Sequence, residues 1–326
     1  MRRILPILAL LLVLALVAGH YSGNQPRLDA VAAARRELGI ELDARKVPVG
    51  DVELFVVRAG PPDGPPIVLL HGFPEFWYAW KGAIAPLAQA GFRVIIPDQR
   101  GYGDSDKPPA VDDYQIDRLG DDVANLIAAL GYPNAGVVGH DWGGGVAWNV
   151  AIRHPDRVRK LAVLDTPHPD AYKHRESKED KVSWYRTFFQ IPLLPEETAR
   201  WGNWAIQSKM LRNTAAPGAF PDEKLALYRS AWDRDGAYGK MVNWYRAAFR
   251  NAPDAGPDRR LAMPVLVLVA ANDAFIPSDM TRASLELLDH GQLVELGSGT
   301  HWVIQEEPDR IAALLARFFG DQEVAP

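Results

Sequence analysis

Short apolar runs and amphipathic segments alternate along the first half of the chain. Residues 47–57 alternate around a central Gly-Asp pair, which is the pattern of a β-hairpin. Residues 67–70 form a fully apolar run after a Pro-Gly cluster, as expected for a buried central strand. Further strands are predicted at 92–97, 135–138 and 158–164, with helices at 29–38, 76–90, 115–130 and 146–154. This alternation predicts a mostly parallel sheet wrapped by helices.

The pattern changes after Asp165, where strand-like runs give way to helical segments rich in Trp and Tyr and separated by prolines. No buried strand is predicted between 169 and 257, so we interpret this part as an inserted helical cap. Strand patterns return at 265–269 and 292–296, and a terminal helix is predicted at 308–319.

The N-terminal residues have the pattern of an export signal. Two arginines follow Met1, and an apolar run then extends from 4 to 19, broken only by Pro6. The run of about 16 residues is shorter than the ~20 that a membrane-spanning helix usually needs. We therefore expect 1–22 to be a signal peptide for periplasmic or secreted export. An N-terminal membrane anchor is the alternative, and membrane association is expected only through 4–19.

Composition narrows the class of protein. With 48% hydrophobic and 24% charged residues, the chain is typical of a globular protein. The net charge of −5, with scattered Lys and Arg, gives no sign of a nucleic-acid partner. The absence of cysteine excludes disulfides, zinc thiolate sites and a cysteine nucleophile.

A glycine-rich turn around Asp141 carries the first chemical signal. The apolar run at 135–138 is followed by Gly139-His140-Asp141-Trp142-Gly143 and then by a segment that favours a helix. Glycines on both sides allow a sharp turn that lifts the central side chain out of the sheet edge. A carboxylate there attacks carbon to form an alkyl ester, whereas serine attacks an acyl carbonyl. An ordinary strand-to-helix turn with a solvated aspartate is the alternative.

Two more polar groups follow predicted strands, where ligands bind in open α/β sheets. Asp273 lies in the turn after the strand at 265–269, and His301 follows the strand at 292–296 in a glycine-rich turn. The chain order nucleophile, acid, histidine is that of hydrolases with a strand-end nucleophile. We therefore predict Asp141 as nucleophile, His301 as general base and Asp273 as the acid that orients His301.

The segment His71-Gly72-Phe73-Pro74 follows the strand at 67–70. Its glycine and a candidate cis-proline would direct the backbone N–H of Phe73 toward a ligand oxygen. With the N–H of Trp142, it is predicted to form an oxyanion hole. His71 is interpreted as a structural hydrogen-bonding group.

Three segments together resemble the epoxide hydrolase branch of the α/β-hydrolase superfamily. They are HGFPEFWY at 71–78, DQRGYGDS at 98–105 and GHDWGG at 139–144, and the resemblance spans about 45–320. It implies an α/β-hydrolase fold with a mostly parallel eight-stranded sheet flanked by helices. The core would comprise 23–168 and 258–326, with the helical cap at 169–257.

The resemblance also implies two cap tyrosines that hold the epoxide oxygen. Asn243-Trp244-Tyr245-Arg246 resembles the family segment that carries one of them, which implies Tyr245. The segment at 183–190 resembles the other and implies Tyr185. The remaining cap tyrosines, including Tyr228 and Tyr238, are interpreted as packing residues.

The acid that orients His301 has a second candidate. Asp165, at the end of the sixth strand, stands where some relatives carry this residue. We prefer Asp273, because its loop with Phe275 and Pro277 resembles the acid loop of the family. Asp165 is then a local capping or turn residue.

The expected substrate is a small apolar epoxide that reacts with water, without a metal or organic cofactor. The side chains predicted to line the substrate site are aromatic. They are Phe73, Trp77, Trp142, Trp184, Phe188 and Trp302.

Haloalkane or haloacid dehalogenase is the alternative enzyme class, since it uses the same aspartate nucleophile. One dehalogenase group carries Asn where this chain has Phe73, and fluoroacetate dehalogenases carry Arg where it has Trp142. The two tyrosines favour epoxides, although cap residues Trp184, Trp201 and Trp204 leave dehalogenation open. A non-catalytic exported binding protein with this fold is the second alternative.

Overall fold

The computed structural model describes residues 26–174, 184–250 and 259–324. Its centre is one eight-stranded sheet in the order β1-β2-β4-β3-β5-β6-β7-β8. β1 pairs with β2 and β2 with β4 in antiparallel register, while all other neighbours are parallel. The predicted hairpin and mostly parallel sheet are therefore confirmed. The strands are Asp43–Pro48, Glu53–Ala59, Pro66–Leu70, Arg93–Pro97, Ala135–His140, Val158–Leu164, Leu261–Asn272 and Leu288–Thr300.

Helices cover the sheet, since β3 and β5 are almost wholly buried and so need cover on both faces. The helices around the sheet are α1 (Ala30–Leu38), α2 (Lys81–Gln89), α3 (Ile116–Ala129), α4 (Trp142–Arg153), α9 (Ser278–Ala283), α10 (Val303–Glu306) and α11 (Pro308–Phe319). The described residues between β6 and β7 form α5 (Trp184–Phe188), α6 (Leu194–Thr214), α7 (Asp222–Trp232) and α8 (Ala237–Arg250). The described part of 169–257 contains no strand. The cap boundaries stay predictions.

Two helix predictions were wrong at their beginnings. The helix predicted at 76–90 is a 3₁₀ turn at Trp77–Trp80 followed by α2, because Asp98 accepts the Trp77 N–H at 2.9 Å and fixes the turn from outside. The helix predicted to begin at 146 already begins at Trp142, directly after the turn at Asp141. The three glycines at 143–145 are poor helix formers, so helix propensity alone predicts a beginning that is too late.

The predicted signal peptide or anchor at 1–22 lies outside the described residues. Among the helices of the described ranges, none is long and apolar enough to cross a membrane.

The turn between β5 and α4 is closely packed from both ends. A Cβ on Gly139 would lie 2.2 Å from the backbone oxygen of Gly143. One on Gly143 would lie 2.4 Å from the backbone oxygen of Leu70. Strand and helix can therefore approach each other only because these positions have no side chain.

Gly139→Ala is expected to destabilise the fold by about 1–3 kcal/mol, because the new methyl group overlaps a backbone oxygen that cannot move freely. Gly145→Ala is the matched control: it lies in α4 with open space at its Cβ position. It should leave stability unchanged or raise it by up to about 1 kcal/mol through helix propensity. Denaturant unfolding measures both. Equal stability of the two variants would contradict this packing account.

Candidate active site

Asp141 occupies the turn between β5 and α4 with φ 52° and ψ −124°. Residues other than glycine rarely adopt a positive φ, so surrounding contacts must stabilise this strained backbone. The Thr166 hydroxyl donates to the Asp141 carbonyl at 2.8 Å. Gly72 packs so closely that a Cβ there would lie 2.5 Å from that of Asp141. The carboxylate is thereby fixed at the sheet edge.

His301 follows β8 and lies between two carboxylates. Its Nδ1 donates to Asp273 Oδ2 at 2.7 Å, and its Nε2 lies 3.6 Å from Asp141 Oδ2. The other Asp273 oxygen accepts the backbone N–H groups of Phe275 at 2.6 Å and Ile276 at 2.9 Å. Asp141, Asp273 and His301 thus lie together in the structure, although they are far apart in the chain. These are the three residues predicted as nucleophile, acid and base.

The electrostatics of the site favour charged forms. Burial alone lowers the pKa of His301, but the charges of Asp273 and Asp141 outweigh it and raise that pKa well above its usual value. Burial alone raises the pKa of Asp141, but the hydrogen bond and charge of His301 hold it below its usual value. These shifts favour an imidazolium at His301 and an ionised carboxylate at Asp141.

Asp165, the second candidate acid, bonds elsewhere. Its Oδ1 accepts the backbone N–H of Ala270 at 2.7 Å, and its own φ is 49°. Burial, followed by the charge of Asp273, raises the pKa of Asp165 to about 7. A group that is partly protonated near neutral pH and bonded to backbone fits the local turn role predicted for it. The His301 Nδ1 bond goes to Asp273 instead.

The backbone N–H of Phe73 donates to Asp141 Oδ1 at 2.7 Å, next to a cis peptide with Pro74. Trp142 is the first residue of α4, so its N–H has no partner one turn back in the helix. Both groups border the nucleophile. Their joint role as an oxyanion hole stays a prediction.

His71 is part of the supporting structure. Its Nε2 accepts the backbone N–H of Gln99 at 3.2 Å, and its Nδ1 donates to the carbonyl of Gly72 at 3.1 Å. Burial lowers the pKa of His71 to about 4. A neutral imidazole with both nitrogens occupied is a positioning group for the loop.

The two predicted cap tyrosines lie side by side. The rings of Tyr185 on α5 and Tyr245 on α8 are 6.0 Å apart and nearly perpendicular. The Tyr245 ring also contacts Phe73 at 5.1 Å and Trp142 at 4.9 Å. Burial and then the negative charge of Asp141 raise the pKa of Tyr245 well above its usual value. Burial also raises the pKa of Tyr185. Both phenols are therefore protonated, as hydrogen-bond donors must be.

Trp302 connects the site to the cap. Its ring lies 4.9 Å from that of His301, and its indole N–H donates to the Thr214 hydroxyl on α6 at 2.8 Å. Phe73 and Trp142, which contact Tyr245, also lie in the predicted apolar lining.

The other predicted lining residues are Trp77, Trp184 and Phe188. Trp77 is buried, and its described ring contacts are with its neighbours Phe76 and Tyr78. Trp184 is 69% exposed at the beginning of α5 and lies 6.0 Å from Phe188. Substrate contact by Trp77, Trp184 and Phe188 stays a prediction.

Sequence reasoning missed Phe189, which contacts Phe73 at 5.4 Å, Tyr185 at 5.9 Å and Tyr245 at 4.8 Å. Its position four residues after Tyr185 is the one signal that could have placed it on the same face. Thr166 was also missed, because a hydroxyl that stabilises a carbonyl leaves no pattern in the sequence.

Comparison with known proteins gives the class. The family model described as the alpha/beta hydrolase fold matches residues 65–308. The chain therefore belongs to the α/β-hydrolase fold family, and within it to the epoxide hydrolases, as the following relatives establish.

An AB hydrolase superfamily protein of Bacillus subtilis, YfhM, is 37% identical over 83% of this chain and 96% of its own length. Epoxide hydrolase A of Mycobacterium tuberculosis is 32% identical over 86% of this chain and 98% of its own. The crystal structure of epoxide hydrolase A from Mycobacterium thermoresistibile is 29% identical, with a TM-score of 0.71 over 87% of this chain and all of that one. The predicted fold class, hydrolase activity and epoxide hydrolase branch are confirmed.

Asp273→Asn should lower the pKa of His301, because the charge of Asp273 is the foremost contribution that raises it. Turnover should fall by about 10²-fold or more, since the imidazole loses the group that orients it. NMR titration of the His301 ring and steady-state rates measure the two effects.

Asp165→Asn is the matched control, because an amide oxygen can still accept the Ala270 N–H. It should leave turnover and the His301 pKa nearly unchanged. The opposite ranking of the two variants would assign the acid role to Asp165.

Proposed function

We propose that this chain converts an epoxide to a vicinal diol through a covalent hydroxyalkyl ester on Asp141. The observation that carries the proposal is the position of the Asp141 carboxylate at the sheet edge, 3.6 Å from His301 Nε2, which holds it ionised, while its charge helps to raise the pKa values of two cap phenols. The aromatic surroundings of Tyr245 favour a small apolar epoxide, and water is the second reactant. The family of the chain supports the same reaction.

In the first step, a carboxylate oxygen of Asp141 attacks the less hindered epoxide carbon. The carbon–oxygen bond of the ring breaks, and the leaving oxygen takes a proton from Tyr185 or Tyr245. The product is a neutral ester, so one of the two negative charges beside His301 disappears. The imidazolium then gives up its proton, which converts the phenolate back to the phenol and leaves His301 neutral.

In the second step, neutral His301 removes a proton from water, and the resulting hydroxide attacks the carbonyl carbon of the Asp141 ester. The N–H groups of Phe73 and Trp142 stabilise the oxyanion that forms. The alkoxide that leaves takes the proton from His301 and departs as the diol. The Asp141 carboxyl group, which now contains one oxygen from water, gives its proton to His301, and the resting pair is restored. Acid pH should slow this step, because His301 must lose its proton to act as a base.

Dehalogenation requires N–H donors directed at a halide. In this structure, the Trp142 ring lies 4.9 Å from the ring of Tyr245, so a phenol that can donate to an epoxide oxygen stands beside the indole that would have to hold a halide. This contact favours epoxide opening over halide release. A dehalogenase remains the second candidate because its nucleophile would be the same.

Export through residues 1–22 is part of the proposal. It is supported by the paired arginines and the short apolar run that follows them. Membrane attachment through 4–19 is the alternative, and no nucleic-acid partner is proposed.

Tyr245→Phe and Tyr185→Phe should each slow diol formation by about 10²-fold, because a donor to the developing alkoxide is lost. The wild type should form diols from a panel of apolar epoxides and release no halide from a matched haloalkane panel. Initial rates of diol and halide formation provide the measurement.

Tyr238→Phe is the control for phenol removal, since the Tyr238 hydroxyl donates to Gln207 within the cap at 2.7 Å. It should retain nearly full activity. Halide release without diol would support a dehalogenase, and no turnover on either panel would support a binding protein.

A further inference from the structure

One buried face of cap helix α7 carries polar groups at the ends of its side chains. Lys224, Tyr228 and Trp232 recur at four-residue intervals, so they lie on the same side of the helix. The Tyr228 hydroxyl donates to Glu75 at 3.0 Å, and the Trp232 indole donates to the carbonyl of Pro74. This face therefore attaches the cap to the loop that follows β3.

Glu75 continues the connection toward the catalytic turn. It is fully buried, and its Oε1 accepts both the Tyr228 hydroxyl and the Gln305 amide, the latter at 2.8 Å. Its Oε2 lies 3.4 Å from Nδ1 of His140, the last residue of β5. His140 Nε2 donates to the backbone carbonyl of His301 at 2.7 Å. Buried groups thus link a cap phenol to the backbone of the general base.

Glu75 Oε2 and His140 Nδ1 face each other at 3.4 Å in a buried site, and neither atom has a hydrogen-bond partner among the described residues. A carbonyl oxygen can only accept, so Nε2 of His140 carries a hydrogen. Burial alone raises the pKa of Glu75, but the contact with His140 and the hydrogen bonds from Gln305 and Tyr228 hold it below its usual value. An ionised Glu75 carboxylate therefore faces the His140 ring while it accepts from Tyr228 and Gln305.

A second set of contacts joins the cap to the chain on either side of His301. The Trp302 indole donates to Thr214 in the cap. The backbone N–H of Ala216 donates to Glu306 at 2.7 Å, and Glu306 also accepts the backbone N–H of Thr300 at 3.0 Å. The loop that carries His301 is therefore attached to the cap before and after the histidine.

We propose that Tyr228, Glu75 and His140 are positioning residues that couple the seating of the cap to the orientation of His301. The inference rests on the proposed function, in which His301 acts as a base only in ester hydrolysis. Tyr228 touches neither the nucleophile nor the substrate in this account. Its loss releases one bond on Glu75, loosens His140 and so disturbs the second step alone.

Tyr228→Phe should reduce the rate constant for ester hydrolysis by about tenfold, since small displacements of a base are costly. Ester formation, which does not need His301 as a base, should change less than about twofold. kcat and KM should therefore fall together while kcat/KM stays constant. Rapid-quench mass spectrometry should show accumulated covalent enzyme.

Tyr238→Phe is the matched control, because it removes a buried cap phenol whose described hydrogen bond, to Gln207, lies within the cap. It should behave as the wild type in both steps. Glu75→Gln should slow hydrolysis as well, and the double variant Glu75→Gln with Tyr228→Phe should be no slower than Glu75→Gln alone. Additive effects would show independent roles and overturn the coupling.

A loss of kcat/KM without accumulated ester would overturn the proposal, because it would show a general effect on the cap. An unchanged Tyr228→Phe enzyme would overturn it too. If that variant does not fold, Gln305→Met removes the other donor to the same Glu75 oxygen and must show the same split. If the wild type forms no ester, the proposed function fails. The NMR signal of the His301 ring then decides: a shift in Tyr228→Phe but not in Tyr238→Phe supports positioning, and no shift overturns it.

Discussion

The negative charge of Asp141 must be kept in a buried site, and the other features of the site depend on that requirement. Burial disfavours the carboxylate, while the charge of His301 and the N–H of Phe73 stabilise it. The same pairing keeps His301 protonated at rest. In the proposed reaction, ester formation removes the charge on Asp141 and so allows His301 to become a base. One electrostatic interaction thus sets the order of the two steps.

The two parts of the fold divide the chemistry. The sheet holds Asp141, His301 and Asp273, the predicted nucleophile, base and acid, on turns at the carboxyl ends of strands, where parallel neighbours bring them together. The cap holds Tyr185 and Tyr245, whose phenols would donate to the leaving epoxide oxygen in the proposed reaction. Such a division requires accurate seating of the cap. The buried contacts of Tyr228 with Glu75 and of Trp302 with Thr214 supply it, and both lead to the loop of His301.

Local patterns predicted much of this arrangement. The turn at Asp141 depends on neighbouring glycines, so the residues that create it are adjacent in the sequence. Asp273 and His301 could be placed because strand ends meet at one edge of a parallel sheet. Phe189 and the Glu75–His140 pair could not, since their roles arise from packing between distant segments. Tyr228 illustrates the limit: its pattern predicts a packing residue, and only the fold shows where its hydroxyl bonds.

Covalent attack by Asp141 is the central claim, and a single turnover in water labelled with heavy oxygen tests it most directly. Enzyme in excess over epoxide is allowed to react once, and the peptide containing Asp141 and the diol are then analysed by mass spectrometry. The covalent mechanism predicts that the label enters the Asp141 carboxylate while the diol of that turnover remains unlabelled. Label found directly in the diol, with none in Asp141, would contradict it.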